Sequence, residues 1–267
     1  MNSKDQENKE LEAKFVVISE KPQQIIDKLL HIKAISGYDL SPKKNFEIRD
    51  IYFDDDFQRL KKSQLALRIR ILEGEIYITL KGKPTFSSWG AIERLEVELP
   101  WSPNALNKIF EILNEKNIPL ERSADNFSNE DPILTLERCG LQVVHDRESY
   151  RRTFNISSSV NRSQYLVELV VDTVKFHIGK QIILHHEIEL ETLSSEGITI
   201  LKELVHTLHE QFYPEIQIWK YSKLESGIAI ELLYKNKKLQ KYIKGDGNLF
   251  PGGYKEIEEQ IKSLQSN

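Results

Sequence analysis

The chain of 267 residues is long enough for one large domain or two small ones, and for a sizeable buried core. Its hydrophobic fraction of 39% and charged fraction of 29% indicate a globular protein with a charged interior as well as a charged surface. The net charge of −4 excludes a global electrostatic field that would attract nucleic acid or a membrane surface.

Eight segments alternate polar with apolar residues or are rich in β-branched and aromatic residues, which predicts β-strands. In chain order they lie at about residues 9–18, 46–54, 64–72, 75–82, 91–99, 142–156, 164–172 and 184–192. Gly74 separates the third segment from the fourth and predicts a tight hairpin between them.

Four segments with apolar residues at helical spacing predict helices. Pro22 opens the first, and Ser102 and Pro103 suit the N-cap and first position of the second. The other two cover about residues 198–212 and 222–234. Residues 121–141 are polar and irregular, which predicts a loop or a small insertion. One domain is predicted at residues 8–234. Residues 235–267 are predicted to form a tail beyond it, with a weak helix at about 254–264.

Charged residues occupy alternate positions of the predicted strands, and residues two apart in a strand share a face. The acids on these faces are Glu10, Glu12, Glu96, Glu98, Glu168, Asp172, Glu187, Glu189 and Glu191, and the bases are Lys14, Arg68, Arg70, Lys81, Arg94, Arg147 and Arg151. Ordinary solvated faces with cross-strand ion pairs are the simplest explanation for any one strand. Repetition over seven strands, with both signs of charge, instead favours faces that meet in an enclosed polar space.

The sequence therefore predicts an α+β fold: an eight-stranded antiparallel closed β-barrel with helices packed outside. Inward charges are tolerated only if they pair, bind metal or stay hydrated. Carboxylates suit a hard divalent cation such as Mg²⁺, which takes a few of them together with phosphate oxygens. Arginine and lysine suit phosphate. We therefore expect the chain to bind a metal-bound polyphosphate and to promote attack of water on phosphorus.

Several short motifs occur in an order that resembles the CYTH superfamily of triphosphate tunnel metalloenzymes. The motifs are Glu10-Leu-Glu12-Ala-Lys14, Tyr52-Phe-Asp54, Leu67-Arg68-Ile-Arg70, Thr79-Leu80-Lys81, Arg94-Leu-Glu96-Val-Glu98, Asp146-Arg147-Glu-Ser-Tyr150, Glu168-Leu-Val-Val-Asp172, Glu187-Ile-Glu189-Leu-Glu191 and Ser222-Lys223 with Gly227. The resemblance spans about residues 8–230. It implies an eight-stranded antiparallel tunnel, triphosphate substrates, and Mg²⁺ or Mn²⁺ as cofactor.

The resemblance and the charged strand faces together predict roles for individual residues. The predicted metal ligands are Glu10, Glu12, Glu187, Glu189 and Glu191. The predicted phosphate-binding residues are Lys14, Arg68, Arg70, Lys81, Arg94, Arg147, Arg151 and Lys223. Glu96, Glu98 and Asp172 are expected to position water, metal or basic side chains, and with Lys14 and Lys81 they form the predicted catalytic set. Lys223 lies outside the strand pattern and rests on the resemblance alone.

The expected function is that of a metal-dependent triphosphatase acting on inorganic triphosphate or another short triphosphate. One alternative is a class IV-type adenylyl cyclase that converts ATP to cyclic AMP and pyrophosphate. Another is a non-catalytic module that binds polyphosphate or nucleotide. No nucleic-acid partner is expected, and the number of subunits stays open.

A cytoplasmic location is expected from three features of the sequence. The single cysteine, Cys139, excludes an intramolecular disulfide and fits a reducing compartment. No apolar run approaches the ~20 residues of a spanning helix. Residues 1–9 are polar and lack the apolar region of a secretion signal. His185 and His186 lack partners at zinc-ligand spacing and suggest a strand-edge pair instead.

Overall fold

A computed structural model describes residues 9–120, 131–159, 161 and 163–266 of the chain. The strands are β1 (Lys9–Val17), β2 (Ala34–Ile35), β3 (Tyr38–Asp54), β4 (Ala66–Leu72), β5 (Glu75–Lys81), β6 (Thr85–Phe86), β7 (Ala91–Pro100), β8 (Gln142–Ser158), β9 (Tyr165–Ile178), β10 (Gln181–Thr192) and β11 (Ile216–Ile218). The helices are α1 (Pro22–His31), α2 (Arg59–Lys62), α3 (Pro103–Glu115), α4 (Pro132–Arg138), α5 (Gly197–Phe212), α6 (Lys223–Lys235) and α7 (Pro251–Gln265).

The strands form one antiparallel sheet whose hydrogen-bonding order is circular. Following neighbours from β1 through β10, β9, β8, β3, β4, β5 and β7 leads back to β1, so eight strands are paired in a ring. The short strands β2, β6 and β11 pair with members of this ring. The predicted α+β fold with eight antiparallel strands is therefore confirmed.

The described chain divides into two compact units. The first contains residues 9–10, 48–85, 93–120 and 131–146, and the second contains residues 11–47, 86–92, 147–159, 161 and 163–266. None of the helices within these ranges has the length and hydrophobicity needed to cross a lipid bilayer.

In the first unit, the apolar faces of β3, β4 and β5 pack against α3. Leu67, Ile69 and Ile78 are buried against Ile109 and Phe110 in one core cluster. Ser102 caps α3 as predicted, because its side chain accepts a hydrogen bond from the backbone N–H of Ala105 at 3.1 Å. The period of two places Arg68 and Arg70 on the opposite face of β4.

The predicted hairpin at Gly74 is present between β4 and β5. Leu72 pairs with Glu75, so Glu73 and Gly74 form a two-residue turn. Both have positive φ, of 51° and 88°, which is the backbone geometry of a type I′ turn and is easiest for glycine. This turn fixes the register that pairs Arg68 with Thr79 and Arg70 with Tyr77.

The second unit has two core clusters. One joins β1, β9 and β10 to helices α1 and α5, with Phe15, Leu169 and Leu204 among its buried members. The other joins β9 to α6, α7 and the segment between these helices, and includes Phe176 and Trp219. The C-terminal residues Leu239, Leu249, Tyr254, Ile257 and Ile261 belong to this cluster, so the segment predicted as a tail contributes buried side chains to the second unit.

Several elements differ from the sequence predictions. Strand β3 begins at Tyr38 rather than near residue 46, in a region without hydrophobic alternation. There the backbone N–H of Lys44 donates to the Thr153 hydroxyl of β8, and this hydroxyl donates to the Lys44 carbonyl. Within the segment predicted as a loop, Pro132–Arg138 is a helix capped by the Asp131 side chain, while residues 121–130 lie outside the described residues.

Candidate functional site

The register of the first unit aligns charged residues across neighbouring strands. Asp50 of β3 pairs with Arg70 of β4, and Thr79 of β5 pairs with Glu98 of β7. We call the charged side chains on these polar faces the first charged cluster: Glu10, Asp50, Arg68, Arg70, Lys81, Arg94, Glu96 and Glu98. It contains the sequence-predicted residues of β4, β5 and β7.

Arg68 lies at the centre of the first charged cluster and is only 3% exposed. One of its terminal nitrogens donates to both Glu96 and Glu98 at 3.2 Å. The other lies 3.5 Å from Asp50 Oδ2, while Asp50 Oδ1 accepts a hydrogen bond from Arg70 Nε at 2.9 Å. Three acids therefore hold the planar guanidinium group of Arg68 in one orientation.

A second part of the first charged cluster surrounds Glu10. Lys81 lies 3.4 Å from Glu10 and 2.5 Å from Glu96, and Arg94 donates to Glu10 at 3.2 Å. Burial would raise the pKa of Glu10, but Lys81, a hydrogen bond with Glu96, and Arg94 hold it well below its usual value. For Glu96, burial outweighs the charge of Lys81, and the contact with Glu10 adds to it, so its pKa is raised. Of these two carboxylates, Glu96 is therefore the one that binds a proton more readily.

In the second unit, β1 and β10 align a second set of charges. Glu12 pairs with Glu191, and Lys14 pairs with Glu189. We call Glu12, Lys14, Arg151, Asp172, Glu187, Glu189 and Lys223 the second charged cluster. Lys14 is buried, lies 3.7 Å from Glu12, and donates to the backbone carbonyl of Tyr221 at 2.9 Å.

Lys223 joins the second charged cluster from the first turn of α6. A capping box fixes that helix start, since the Ser222 side chain accepts from the N–H of Glu225 while the Glu225 side chain accepts from the N–H of Ser222. The Lys223 ammonium lies 3.1 Å from Asp172 and 2.9 Å from Glu187, and it donates to Glu189. Burial would lower the pKa of Lys223, but these three carboxylates raise it, so the residue is a permanent cation.

Arg151 completes the second charged cluster. It donates to Asp172 at 2.9 and 2.6 Å in a bidentate pair and to Glu189 at 2.8 Å. Burial would raise the pKa of Asp172, but Arg151 and Lys223 lower it to about 2. Four carboxylates face three basic groups in this cluster, so the excess of negative charge favours binding of a cation.

Two predicted residues have other surroundings. Arg147 is buried and donates to the Ser149 hydroxyl at 2.7 Å, on the same face of β8 as Arg151. Glu191 is half-buried beside Glu12 in the register of β1 and β10. The roles predicted for these two residues remain predictions.

Sequence reasoning missed three residues that contact the charged clusters. Asp50 holds Arg68 and Arg70, and the same period of two along β3 that includes Tyr52 could have identified it. Tyr221 contributes only a backbone carbonyl, for which the side-chain pattern carries no signal. His185 is fully buried and contacts Glu187, so its assignment to a strand edge was wrong.

His186, the next residue of β10, has a buried neutral imidazole. This group makes the stability of the fold depend on pH. Its Nε2 lies 2.8 Å from the Asn248 carbonyl oxygen and its Nδ1 lies 3.1 Å from the Thr173 hydroxyl. An amide oxygen only accepts, so Nε2 donates and Nδ1 accepts from Thr173. Burial lowers the pKa of His186 to about 4, despite the hydrogen bond to Asn248.

We expect acid to destabilise the protein through His186. The unfolded chain takes up this proton below about pH 6.5, whereas the folded chain takes it up only near pH 4. The free energy of unfolding should therefore fall by about 3 kcal/mol at this site as the pH drops between those values. Urea denaturation from pH 7 to pH 4 should show a shallower pH dependence for His186→Gln, and parallel curves would refute this prediction.

The carboxylates of the second charged cluster fit a hard divalent cation that takes only one or two protein ligands. Within the described ranges, no three His, Cys, Asp or Glu side chains form a ready metal cage. However, Glu187 Oε2 is buried and accepts no hydrogen bond, although Lys223 Nζ lies at ion-pair distance from it. Mg²⁺ commonly takes one or two carboxylates and completes its shell with water and substrate phosphates. The donor set fits a cation of that kind, which Glu187 and the neighbouring Glu189 would hold.

Comparison with known proteins agrees with this arrangement of strands. The CYTH domain family model matches residues 8–216 of the chain. Among solved structures, HpAC1 from Hippeastrum, described as a candidate adenylyl cyclase with a dominant triphosphatase activity, is 17% identical with a TM-score of 0.51. That alignment covers 86% of this chain and 97% of the other, and it supports the fold.

Two further solved structures are similar at a lower level. A candidate adenylate cyclase from Bacillus halodurans is 21% identical, with a TM-score of 0.45, covering 81% of this chain and 97% of that one. The PH1819 protein from Pyrococcus horikoshii is 20% identical, with a TM-score of 0.45, covering 84% and 99%. A search of curated proteins found no significant match. Because the family model spans well over half of its length, the chain belongs to the CYTH domain family.

Proposed function

We propose that this protein is a metal-dependent triphosphatase that hydrolyses inorganic triphosphate or another short triphosphate. The observation that carries this proposal is the second charged cluster, in which acids outnumber bases around a carboxylate oxygen that accepts no hydrogen bond. Buried acids in excess suit a cation, and buried bases beside them suit the phosphates that accompany it. Membership of the CYTH family supports the same substrate class.

The metal is proposed to be Mg²⁺ or Mn²⁺, held by members of the set Glu10, Glu12, Glu187, Glu189 and Glu191. When bound, such a cation polarises phosphoryl oxygens and offsets the charge that develops on them. Glu187 and Glu189 are oriented for this role by Lys223, and Glu189 also by Arg151.

The phosphates are proposed to bind the basic residues Lys14, Arg68, Arg70, Lys81, Arg94, Arg147, Arg151 and Lys223. Arg68, Lys81 and Arg151 contact carboxylates in the structure. A triphosphate must therefore compete with those acids, and it can do so because phosphate oxygens accept bidentate hydrogen bonds from arginine as carboxylates do. Before substrate arrives, the contacts with these carboxylates keep the basic groups charged and oriented.

Water is proposed to be positioned by Glu96, Glu98 or Asp172. Burial opposes ionisation of Glu98, but Arg70 and Arg68 lower its pKa, so it stays an ionised acceptor. The raised pKa of Glu96 makes it the stronger base of the first charged cluster. Glu96 is therefore the proposed acceptor of the proton that attacking water loses.

Incubation with ATP and Mg²⁺ or Mn²⁺ separates hydrolysis from cyclisation. Hydrolysis yields orthophosphate and ADP, whereas cyclisation yields cyclic AMP and pyrophosphate. Phosphorus NMR of the products should show orthophosphate and no cyclic AMP. Cyclic AMP without orthophosphate would establish the cyclase reaction instead. Binding of both ATP and tripolyphosphate without any product from either would establish a binding module.

Glu12→Gln is expected to abolish metal-dependent turnover of triphosphate, because it removes a buried carboxylate charge while keeping nearly the same shape. Orthophosphate release should fall by at least a hundredfold, about 2.7 kcal/mol of transition-state stabilisation. Glu148→Gln, an exposed glutamate of β8 outside both clusters, is the matched control and should keep wild-type turnover. Unchanged turnover by Glu12→Gln would show that the metal assignment is wrong.

A further inference from the structure

His185 contacts Glu187. Glu187 belongs to one of the charged-strand motifs, whereas His185 lies outside all of them. Its Nε2 is 2.7 Å from Glu187 Oε1, and both side chains are fully buried at 0% exposure. The two residues are two apart on β10, so they share a face of that strand. The other oxygen of Glu187, Oε2, lies 2.9 Å from Lys223 Nζ.

The direction of this hydrogen bond follows from the state of Glu187. The Lys223 ammonium lies beside Oε2, and its positive charge keeps the Glu187 carboxylate ionised. An ionised carboxylate can only accept, so the imidazole Nε2–H donates to Oε1. This leaves Oε2 as the oxygen of Glu187 that faces Lys223 and accepts no hydrogen bond.

Three aromatic rings hold the imidazole of His185. Its ring centroid lies 6.0 Å from Phe176, 6.2 Å from Trp219 and 5.7 Å from Tyr254. Trp219 is itself fixed by a hydrogen bond from its indole N–H to the Ser226 hydroxyl at 3.0 Å. Trp219 and Tyr254 both lie beyond the residues 8–216 that match the family model. Two of the three rings that confine the histidine thus lie C-terminal to the residues that match the family model.

We propose that His185 is a positioning residue that fixes the rotamer of Glu187 so that Oε2 is presented to a divalent cation. The inference deepens the proposed function, because it rests on Glu187 being a ligand of that cation. Partners that orient a metal ligand without touching the metal typically change metal affinity 10- to 100-fold when they are removed. His185 has the contact, the burial and the rigid surroundings that such a role requires.

His186 provides a matched control on the adjacent position of the same strand. Like His185, it is buried. It differs in its hydrogen-bond partners, which are Thr173 and Asn248. Substituting either histidine by phenylalanine removes buried hydrogen bonds, which costs stability in both cases. Only the substitution at position 185 removes a hydrogen bond to a predicted metal ligand.

The test is a titration of the full-length protein with Mn²⁺ alone, followed by the electron paramagnetic resonance signal of the free ion. His185→Phe keeps an aromatic ring but loses the N–H donor, and it should weaken Mn²⁺ binding about tenfold or more. His185→Gln restores an N–H donor and should bind Mn²⁺ within about threefold of wild type. His186→Phe should also stay within about threefold, despite its own loss of stability.

Three results would overturn the inference: wild-type affinity in His185→Phe, an equal loss in His186→Phe, or no recovery in His185→Gln. If His185→Phe does not fold, His185→Asn replaces it, because its shorter amide cannot span the contact and should give the same weakening. Absence of Mn²⁺ binding by the wild-type protein would overturn both the metal assignment and this inference. Normal Mn²⁺ binding without triphosphate hydrolysis would overturn the proposed reaction only.

Discussion

Lys223→Met should lower the free energy of unfolding by about 3–5 kcal/mol, because it leaves buried carboxylates without their shared cation. Asp172, Glu187 and Glu189 all contact the Lys223 ammonium, and Arg151 would be the remaining base beside Asp172 and Glu189. Urea denaturation at pH 7 measures this change. Triphosphate turnover should be lost in the same variant under conditions where it is still folded.

Lys235→Met is the matched control for this substitution. Lys235 lies on the same helix, α6, and forms an exposed pair with Glu231. Such surface pairs contribute at most about 1 kcal/mol, so this variant should unfold close to wild type and keep its turnover. Equal stability losses in the two variants would mean that Lys223 is not the cation that stabilises the buried acids.

Arg68→Met is expected to have the second-largest effect, through the first charged cluster. It removes a buried guanidinium that contacts Asp50, Glu96 and Glu98. The cost should again be about 3–5 kcal/mol, reduced to the extent that Arg70 and Lys81 neutralise the acids left behind. Because Arg68 is also proposed to bind phosphate, the affinity for tripolyphosphate should fall as well.

Two further substitutions sharpen this prediction. Arg68→Lys keeps the charge but not the planar group that reaches two carboxylates, so it should recover stability only in part. Arg49→Met removes an exposed arginine of β3 that pairs with Asp146, and it should change neither stability nor affinity by more than about 1 kcal/mol. Calorimetric titration with tripolyphosphate and urea denaturation provide both readouts. Full recovery in Arg68→Lys would contradict a role for the guanidinium geometry.

The period of two along the strands was sufficient to predict most of the charged clusters. It placed Arg68 and Arg70 on the face opposite Leu67 and Ile69, and the structure has those faces charged and apolar respectively. The same logic grouped Glu187 with Glu189. Pattern alone works here because a strand has only two faces, and one of them must be covered by helices.

The period of two does not predict other parts of the molecule. Lys223 lies on a helix, where spacing of two has no meaning, and only the resemblance to the family identified it. The C-terminal segment was predicted as a tail because turn residues separate its apolar positions, yet Leu249 and Tyr254 are buried. Strand β3 extends over Pro42 and several exposed residues because pairing with β8 outweighs local propensity.

His185 illustrates the limit most clearly. A histidine beside an acidic strand has no spacing that distinguishes a solvent-exposed residue from one held in an aromatic pocket. Its surroundings come from Phe176, Trp219 and Tyr254, which are distant from one another in sequence. Residues that orient a ligand are fixed by such tertiary contacts, and the sequence pattern of one strand does not contain them.

Release of orthophosphate from tripolyphosphate by the purified full-length protein tests the central claim most directly. The account predicts steady release with Mg²⁺ or Mn²⁺, none with EDTA, and recovery when the metal is restored in excess. It also predicts pyrophosphate as the other initial product. Equal rates with and without EDTA, or no orthophosphate with either metal while the protein is folded, would contradict it.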